Sequence, residues 1–180
     1  MKFLVFAASH RPESYNRKLA VHTANYMKKK AIQVDFAEYA EFDMPLYNDA
    51  IEMPEIAGIF GKRASSSDGI IISAPEYNWS YPGSLKNIID WTSCIIPNPL
   101  KGKTVMLMCA SPGVRGGILG LSHLKTPLEA SQLFVYPKVF PLGNCLEMFD
   151  ADNTLEIKQS TLLNAILDDY ITFTQKLMKP

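Results

Sequence analysis

The run Gly69-Ile70-Ile71-Ile72-Ser73-Ala74-Pro75-Glu76-Tyr77-Asn78-Trp79-Ser80-Tyr81-Pro82-Gly83-Ser84-Leu85-Lys86-Asn87-Ile88-Ile89-Asp90 decides the architecture. Its opening is an unbroken apolar stretch, the pattern of a strand buried on both faces in a parallel sheet. Its close is amphipathic, with Leu85, Ile88, Ile89, Thr92 and Ile96 on one face at about 100° per residue. Between them lies a loop holding an aromatic, a carboxylate, an amide and two stiffening prolines. Loops at the carboxyl ends of strands are where open α/β sheets bind ligands. Ser80 reads as the N-cap of the following helix, with Pro82 in its first turn. Trp91 lies at the side of the apolar stripe, either as a partly exposed subunit-interface anchor or as peripheral core.

The same alternation of apolar runs and helical patterns extends in both directions. Lys2–Ala8 predicts a buried first strand, followed by a helix over about Asn16–Lys30 with Leu19, Ala20, Thr23 and Met27 on its inner stripe. In Ile32–Phe36 apolar and polar residues alternate, which suits an edge strand. Val105–Ala110 reads as a central strand and Leu133–Tyr136 as a fifth. A last helix over Ile157–Met178 carries Leu163, Ile166, Leu167, Tyr170, Ile171 and Thr174 as a stripe. The expectation is an α/β, flavodoxin-like fold: a five-stranded parallel sheet in the order 2-1-3-4-5 with helices on both faces. No linker or repeat divides residues 1–180, so one domain is expected. Glu41–Pro54 is the longest irregular stretch.

Bulk properties narrow the class. The 180 residues carry zero formal net charge and 20% charged side chains, which argues for a globular protein and against a nucleic-acid binder in need of a basic stripe. No apolar run is long enough to span a membrane. The short apolar N-terminus reads as a strand rather than a signal peptide. Cys94, Cys109 and Cys145 form no CxxC pair and read as small core residues in a reducing, cytoplasmic compartment; no metal site is read from them.

Three loops of unusual composition leave the same rim of such a sheet. The first, Ser9-His10-Arg11-Pro12-Glu13-Ser14-Tyr15-Asn16, offers hydroxyls, a guanidinium and an amide where a helix begins. That suits an anion, a phosphate above all; a bare N-cap at Ser14 or Asn16 is the alternative. The second is the Pro75–Pro82 run. The third, Ser111-Pro112-Gly113-Val114-Arg115-Gly116-Gly117, allows a close backbone approach or positive φ, or is simply a flexible surface loop. Together they offer a phosphate end, a wall for a planar ring and a close backbone, which points to a mononucleotide. Neither GxGxxG nor GxxxxGK[ST] is present. His10, His22 and His123 join no triad-like grouping, and His22 and His123 read as surface residues on helices.

These loops resemble the motifs of the NADPH-dependent FMN reductase family, which includes flavodoxin-fold quinone, azo-dye and chromate reductases. Ala8–Asn16 is similar to G-S-x-R-x-x-S-x-N, with Ala for the leading Gly. Pro75–Trp91 matches P-E-Y-N-x-S-x-P-G-x-L-K-N-x-I-D-W throughout, and Ser111 with Gly113, Gly116 and Gly117 matches the Gly-rich third turn. The resemblance implies that Ser9, Arg11, Ser14, Tyr15 (through its backbone) and Asn16 hold the phosphate of bound FMN. It implies that Pro75, Glu76, Tyr77, Asn78, Ser111 and Gly113 flank the flavin ring. Two departures stand out: Ala8 is bulkier than Gly, and Pro112 lacks an N–H.

The implied activity is ping-pong: NADPH or NADH gives hydride to flavin N5, and a small-molecule electron acceptor (a quinone, azo compound, metal oxyanion or flavin) follows in the same pocket. No side chain is assigned as catalytic acid, base or nucleophile. A homodimer or dimer of dimers is expected, with the helix that carries Trp91 at the interface. The rival readings are an FMN-binding electron-transfer or redox-sensing protein with little turnover, and a non-enzymatic module for a phosphorylated ligand or protein partner. Arg115 is a candidate for a ribose 2′-phosphate.

Overall fold

In the computed structural model, which describes residues 1–178, the elements follow the alternation in the sequence. They are β1 (Lys2–Ala7), α1 (Tyr15–Lys29), β2 (Gln33–Ala37), α2 (Glu55–Ser65), β3 (Gly69–Ser73), α3 (Gly83–Ser93), β4 (Thr104–Ala110), α4 (Ile118–Ala130), β5 (Phe134–Val135), β6 (Phe140–Leu142) and α5 (Ile157–Leu177). Short 3-10 turns at Tyr39–Phe42 and Cys145–Glu147 complete them. All strand pairings are parallel, in the order β2-β1-β3-β4-β5, with β6 also on β4. The flavodoxin-like order expected from strand character is the order observed.

Side chains alternate across this sheet, so each strand feeds two cores. Leu4, Phe6, Ile70, Ile72, Val105 and Leu107 pack with Ala64 of α2, Leu85 and Ile88 of α3, and Leu121 and Leu124 of α4. Phe3, Val5, Ile71, Met106 and Met108 pack on the other face with Leu19, Ala20 and Met27 of α1 and Leu163, Leu167 and Tyr170 of α5. Ile166 on the α5 stripe is only partly buried.

The sheet differs from expectation at one edge. The fifth strand is two short pieces: β5 pairs with Thr104 and Val105, and β6 with Met108 to Ala110. Pro137 interrupts them, and Pro141 inside β6 is tolerated because an edge strand can spare an N–H. The consequence for the site is direct, because β6 delivers the segment Gly143–Glu147 to the carboxyl rim.

Three local readings are resolved. First, of the two open for Trp91 the core one holds, because the residue is buried. The segment after the 3-10 turn folds over it: Trp91 Nε1 donates to Pro45 O at 2.8 Å, Asn87 Nδ2 donates to the same oxygen at 2.9 Å, and Tyr47 N donates to Asn87 Oδ1 at 2.7 Å. Tyr47 meets the indole edge-on at 5.0 Å. This strap excludes Trp91 as a direct interface anchor. Secondly, α3 ends at Ser93, so Ile96 lies beyond its stripe and is 94% exposed. Thirdly, Ser80 caps nothing, because Pro82 is the N-cap and Ser80 pairs back to Tyr77. Two further residues differ in burial. Cys94 is exposed, at the C-cap of α3. His22 is half-buried, its pKa lowered by burial, with Ser160 Oγ 3.3 Å from Nε2.

Candidate functional site

The carboxyl ends of β1, β3 and β4 open into a cleft of about 190 Å³. It is lined by Ser9, Arg11, Ser14, Tyr15 and Asn16 from the first loop, Pro75, Glu76 and Tyr77 from the second, and Ala110, Ser111 and Pro112 from the third. Nine of the eleven residues singled out from sequence therefore share one cavity. Asn78 and Gly113 stand outside its lining, each next to a lining segment. Cys145 and Leu146 also line it and were not anticipated, because the Pro-interrupted β6 that delivers them does not look like a strand. The Gly143-Asn144 pair, with Asn144 at φ +49°, is the turn signal that marks where they enter.

At one end the cleft is built for an anion. Ser14 is the N-cap of α1, its hydroxyl accepting from Asn16 N at 3.2 Å. The capping alternative thus holds, and it leaves the rest of the helix start free. The first turn contains no acidic side chain, so the partial positive charge of the helix terminus is not neutralised there. The loop itself is tightly folded, with Ser14 N donating to Arg11 O at 3.1 Å and Ser9 N to Ala7 O at 2.8 Å. Arg11 is exposed and has no carboxylate within ion-pair distance among the described residues.

Asn16 is used differently from the expectation that its amide faces a ligand. Its side chain is 3% exposed, with Oδ1 accepting from Ala110 N and Ser73 Oγ, each at 2.9 Å, and Nδ2 donating to Ala110 O at 2.9 Å. One amide thereby brackets the carboxyl ends of β3 and β4 to the start of α1. Ala8 is accommodated at 1% exposure, its N–H donating to Ser73 O at 2.9 Å.

The opposite wall is rigid for equally specific reasons. Glu76 Oε2 accepts from Gly120 N at 2.7 Å, inside the first turn of α4. A carboxylate there complements the helix terminus. Room for it comes from glycine: a Cβ on Gly120 would meet Glu76 Cβ at 3.2 Å, and one on Gly117 would meet Cys109 Sγ at 2.3 Å. Burial pushes the Cys109 thiol up to about 12, which leaves it an inert filler. In the third loop, Gly116 and Gly117 have positive φ and Gly116 abuts Pro141 of β6, so these two serve chain packing. Gly113 remains open on its Cβ side, with Ser111 Oγ, its nearest neighbour, at 3.7 Å. Beside Pro112, which has no N–H to offer, Gly113 N donates to Ser111 Oγ at 3.3 Å.

The cleft thus holds a free guanidinium and helix terminus at one end and a stiff wall of Pro75 and Tyr77 at the other. Comparison with known proteins agrees with that geometry. Residues 1–147 match the family model described as NADPH-dependent FMN reductase. The chain belongs to the NADPH-dependent FMN reductase family. Members of that family are flavoenzymes that take FMN as cofactor and NAD(P)H as reductant.

A quinone reductase of Pseudomonas putida is 31% identical over 95% of this chain and 93% of its own length. A quinone reductase of Escherichia coli strain K12 is 34% identical over 67% of this chain and 66% of that protein. Among solved structures, FerB, a flavoenzyme NAD(P)H:(acceptor) oxidoreductase from Paracoccus denitrificans, is similar with a TM-score of 0.85 and 29% identity, covering 97% of both chains. FMN fits the cleft on chemical grounds. Its phosphate needs cationic and N–H donors, which an Arg11 that is in no ion pair among the described residues and the α1 terminus offer, while the carboxylate of Glu76 is engaged by Gly120. Among the described residues no group of three or more His, Cys, Asp or Glu is arranged to hold a metal, and no helix is long and apolar enough to cross a membrane.

Proposed function

We propose that the whole chain is a single FMN-binding domain that uses NADPH or NADH to reduce small acceptors, quinones first among them. The observation that carries this reading is the convergence, in one cleft, of an unpaired Arg11 at a helix start with the Pro75–Tyr77 wall. Ser9, Arg11, Ser14 and the Tyr15 N–H hold the phosphate, and Asn16 holds the loop that presents them. Pro75, Glu76, Tyr77 and Asn78 bound the ring on one side, and Ser111 and Gly113 on the other. When bound, FMN would supply the two-electron redox chemistry that links NAD(P)H to an acceptor using the same space in turn. The side chains orient and exclude water; none is asked to act as acid, base or nucleophile. Relatives named as quinone reductases, and a 2-hydroxy-1,4-benzoquinone reductase of Burkholderia at 33% identity over 69% of this chain, support quinones among the possible acceptors.

The cleft is smaller than the roughly 300 Å³ at which ligand pockets usually begin, so the ring is left at the rim and a second subunit completes its cover. The strap over Trp91 presents Leu46 at 79%, Tyr47 at 42% and Ile51 at 45% exposure. This apolar outer face, rather than Trp91 itself, is the homodimer contact, with a dimer of dimers as the larger assembly. Leu46→Glu should then yield monomers by light scattering; a wild-type monomer at micromolar concentration with full turnover would end the dimer reading. Three free cysteines suit the reducing cytoplasm.

The deciding experiment is spectroscopic. Purified protein given FMN should turn yellow and quench flavin fluorescence, bleach anaerobically with NADPH, and recover colour when a quinone is added. Failure to bind FMN removes the assignment. Bleaching without steady-state quinone turnover would replace it with the electron-transfer alternative.

A further inference from the structure

Asn78 and Trp79 are the central pair of a turn closed by two backbone bonds, Tyr77 N to Ser80 O at 2.8 Å and Ser80 N to Tyr77 O at 3.0 Å. Both have positive φ, +48° and +67°. Asn adopts that conformation readily, whereas for a bulky residue such as Trp it is an outlier. Strained positions of this kind cluster at ligand clamps and active sites. Core packing does not account for it, because Trp79 is 59% exposed. The contact the ring does make is with the Arg115 guanidinium, 5.3 Å from its centroid. Arg115 comes from the loop between β4 and α4, so the contact joins the second rim loop to the third, each residue lying a few positions beyond the part of its loop that lines the cleft.

The charge in that contact is uncommitted. Of the four arginines, Arg17 is paired with Glu38 and Arg63 with Asp35 and Glu41. Arg115, like Arg11, has no carboxylate partner among the described residues. An exposed aromatic face backed by a free planar fork offers stacking to any flat ring and charge-assisted hydrogen bonds to an anionic substituent on it.

We infer that Trp79 and Arg115 form a clasp that selects planar aromatic acceptors bearing a negative charge over neutral ones of the same ring system. The inference rests on the FMN reading above. The reaction it serves balances as quinone plus NAD(P)H plus a solvent proton giving hydroquinone plus NAD(P)⁺. The sulfonate, carboxylate or enolate held by Arg115 passes through unchanged.

The test uses FMN-loaded protein with 1,4-naphthoquinone-2-sulfonate and 2-methyl-1,4-naphthoquinone as paired acceptors. Arg115→Gln should lower the ratio of their kcat/KM values about 5- to 10-fold, and Arg115→Lys should restore part of it. Raising ionic strength should erode the ratio in the wild type and leave it nearly flat in Arg115→Gln. A readout without turnover is calorimetric binding of naphthalene-2-sulfonate, a ligand that cannot be reduced; it should weaken by a similar factor in Arg115→Gln and also in Trp79→Leu. An unchanged ratio and unchanged sulfonate binding, with FMN bound and bleached normally by NADPH, would overturn the clasp and leave the cofactor reading intact. A loss confined to NADPH relative to NADH would likewise overturn it, assigning Arg115 to the coenzyme's 2′-phosphate. Protein that binds no FMN at all would remove both readings together.

Discussion

Arg63 and Arg11 are the same side chain put to opposite uses. Near the β2 edge, Arg63 is clasped on every side: Nη2 donates to Asp35 Oδ1 at 2.5 Å and Phe36 O at 3.0 Å, Nε to Asp35 Oδ2 at 3.3 Å, and Nη1 to Glu41 Oε2 at 3.0 Å. Its ring of partners ties the C-terminal turn of α2 to β2 and to the 3-10 turn that follows it. At the carboxyl rim Arg11 stands exposed and, among the described residues, in no ion pair. A guanidinium that is satisfied within the chain adds to the fold, and one that is left unsatisfied next to free N–H groups is available to something outside it. The difference supports the proposed ligand site without reference to any motif.

That contrast can be broken in four ways, from the largest effect to the smallest. Arg11→Ala should weaken FMN roughly 10- to 150-fold, the loss of one charge-assisted contact, with the melting temperature of the flavin-free protein unchanged. Equal FMN affinity in a fluorescence titration would deny Arg11 the phosphate. Arg63→Ala should do the reverse, costing about 1–2 kcal/mol in urea unfolding by stranding Asp35, with flavin affinity intact.

The third effect is a pH dependence centred on Asp35. Partial burial works to raise its pKa, but the hydrogen bonds and charge of Arg63, with Lys2 Nζ at 3.4 Å, outweigh it and the net shift is downward. A carboxylate with a depressed folded-state pKa adds stability that is fully present above its unfolded value, near 3.8, and is lost as pH falls through the lower folded one. The stability gap between wild type and Asp35→Asn should therefore be constant at neutral pH and shrink on acidification below about pH 4. A gap that widens in acid would contradict the pairing. Last, Lys138→Ala removes an ion pair to Asp169 whose side chains are 59% and 56% exposed. It should leave melting temperature and flavin affinity unmoved, because solvent screens such pairs.

Much of this contrast was legible in the residues alone. Continuous runs such as Ile70–Ile72 and the alternation at Ile32–Phe36 reported central and edge strands, because burial on two faces or one leaves a different period. The three rim loops were legible because proline, glycine and polar clusters have few structural reasons to gather after a strand. What escaped was long-range and polar. The amide of Asn16 reaches Ala110 across 94 residues and the carboxylate of Glu76 reaches Gly120 across 44; no local period encodes either. Trp91 stays open between interface and core in the sequence for a related reason: helical periodicity measures a face against the sheet and is blind to an irregular strap such as Pro45–Tyr47. β6 was missed because its proline, tolerable only at an edge, argues against a strand until the edge is known.

The tie between Glu76 and the first turn of α4 makes the Pro75–Tyr77 wall of the cleft part of a helix rather than of a free loop. Any movement of Pro75–Tyr77 must carry α4 with it or break that bond. Opening and closing at this end would then be a lever action of a thirteen-residue rod, slower and more cooperative than the flutter of a surface turn. An inserted methyl at Gly120 would be felt at Glu76 and so in the wall, although Gly120 itself does not line the cleft.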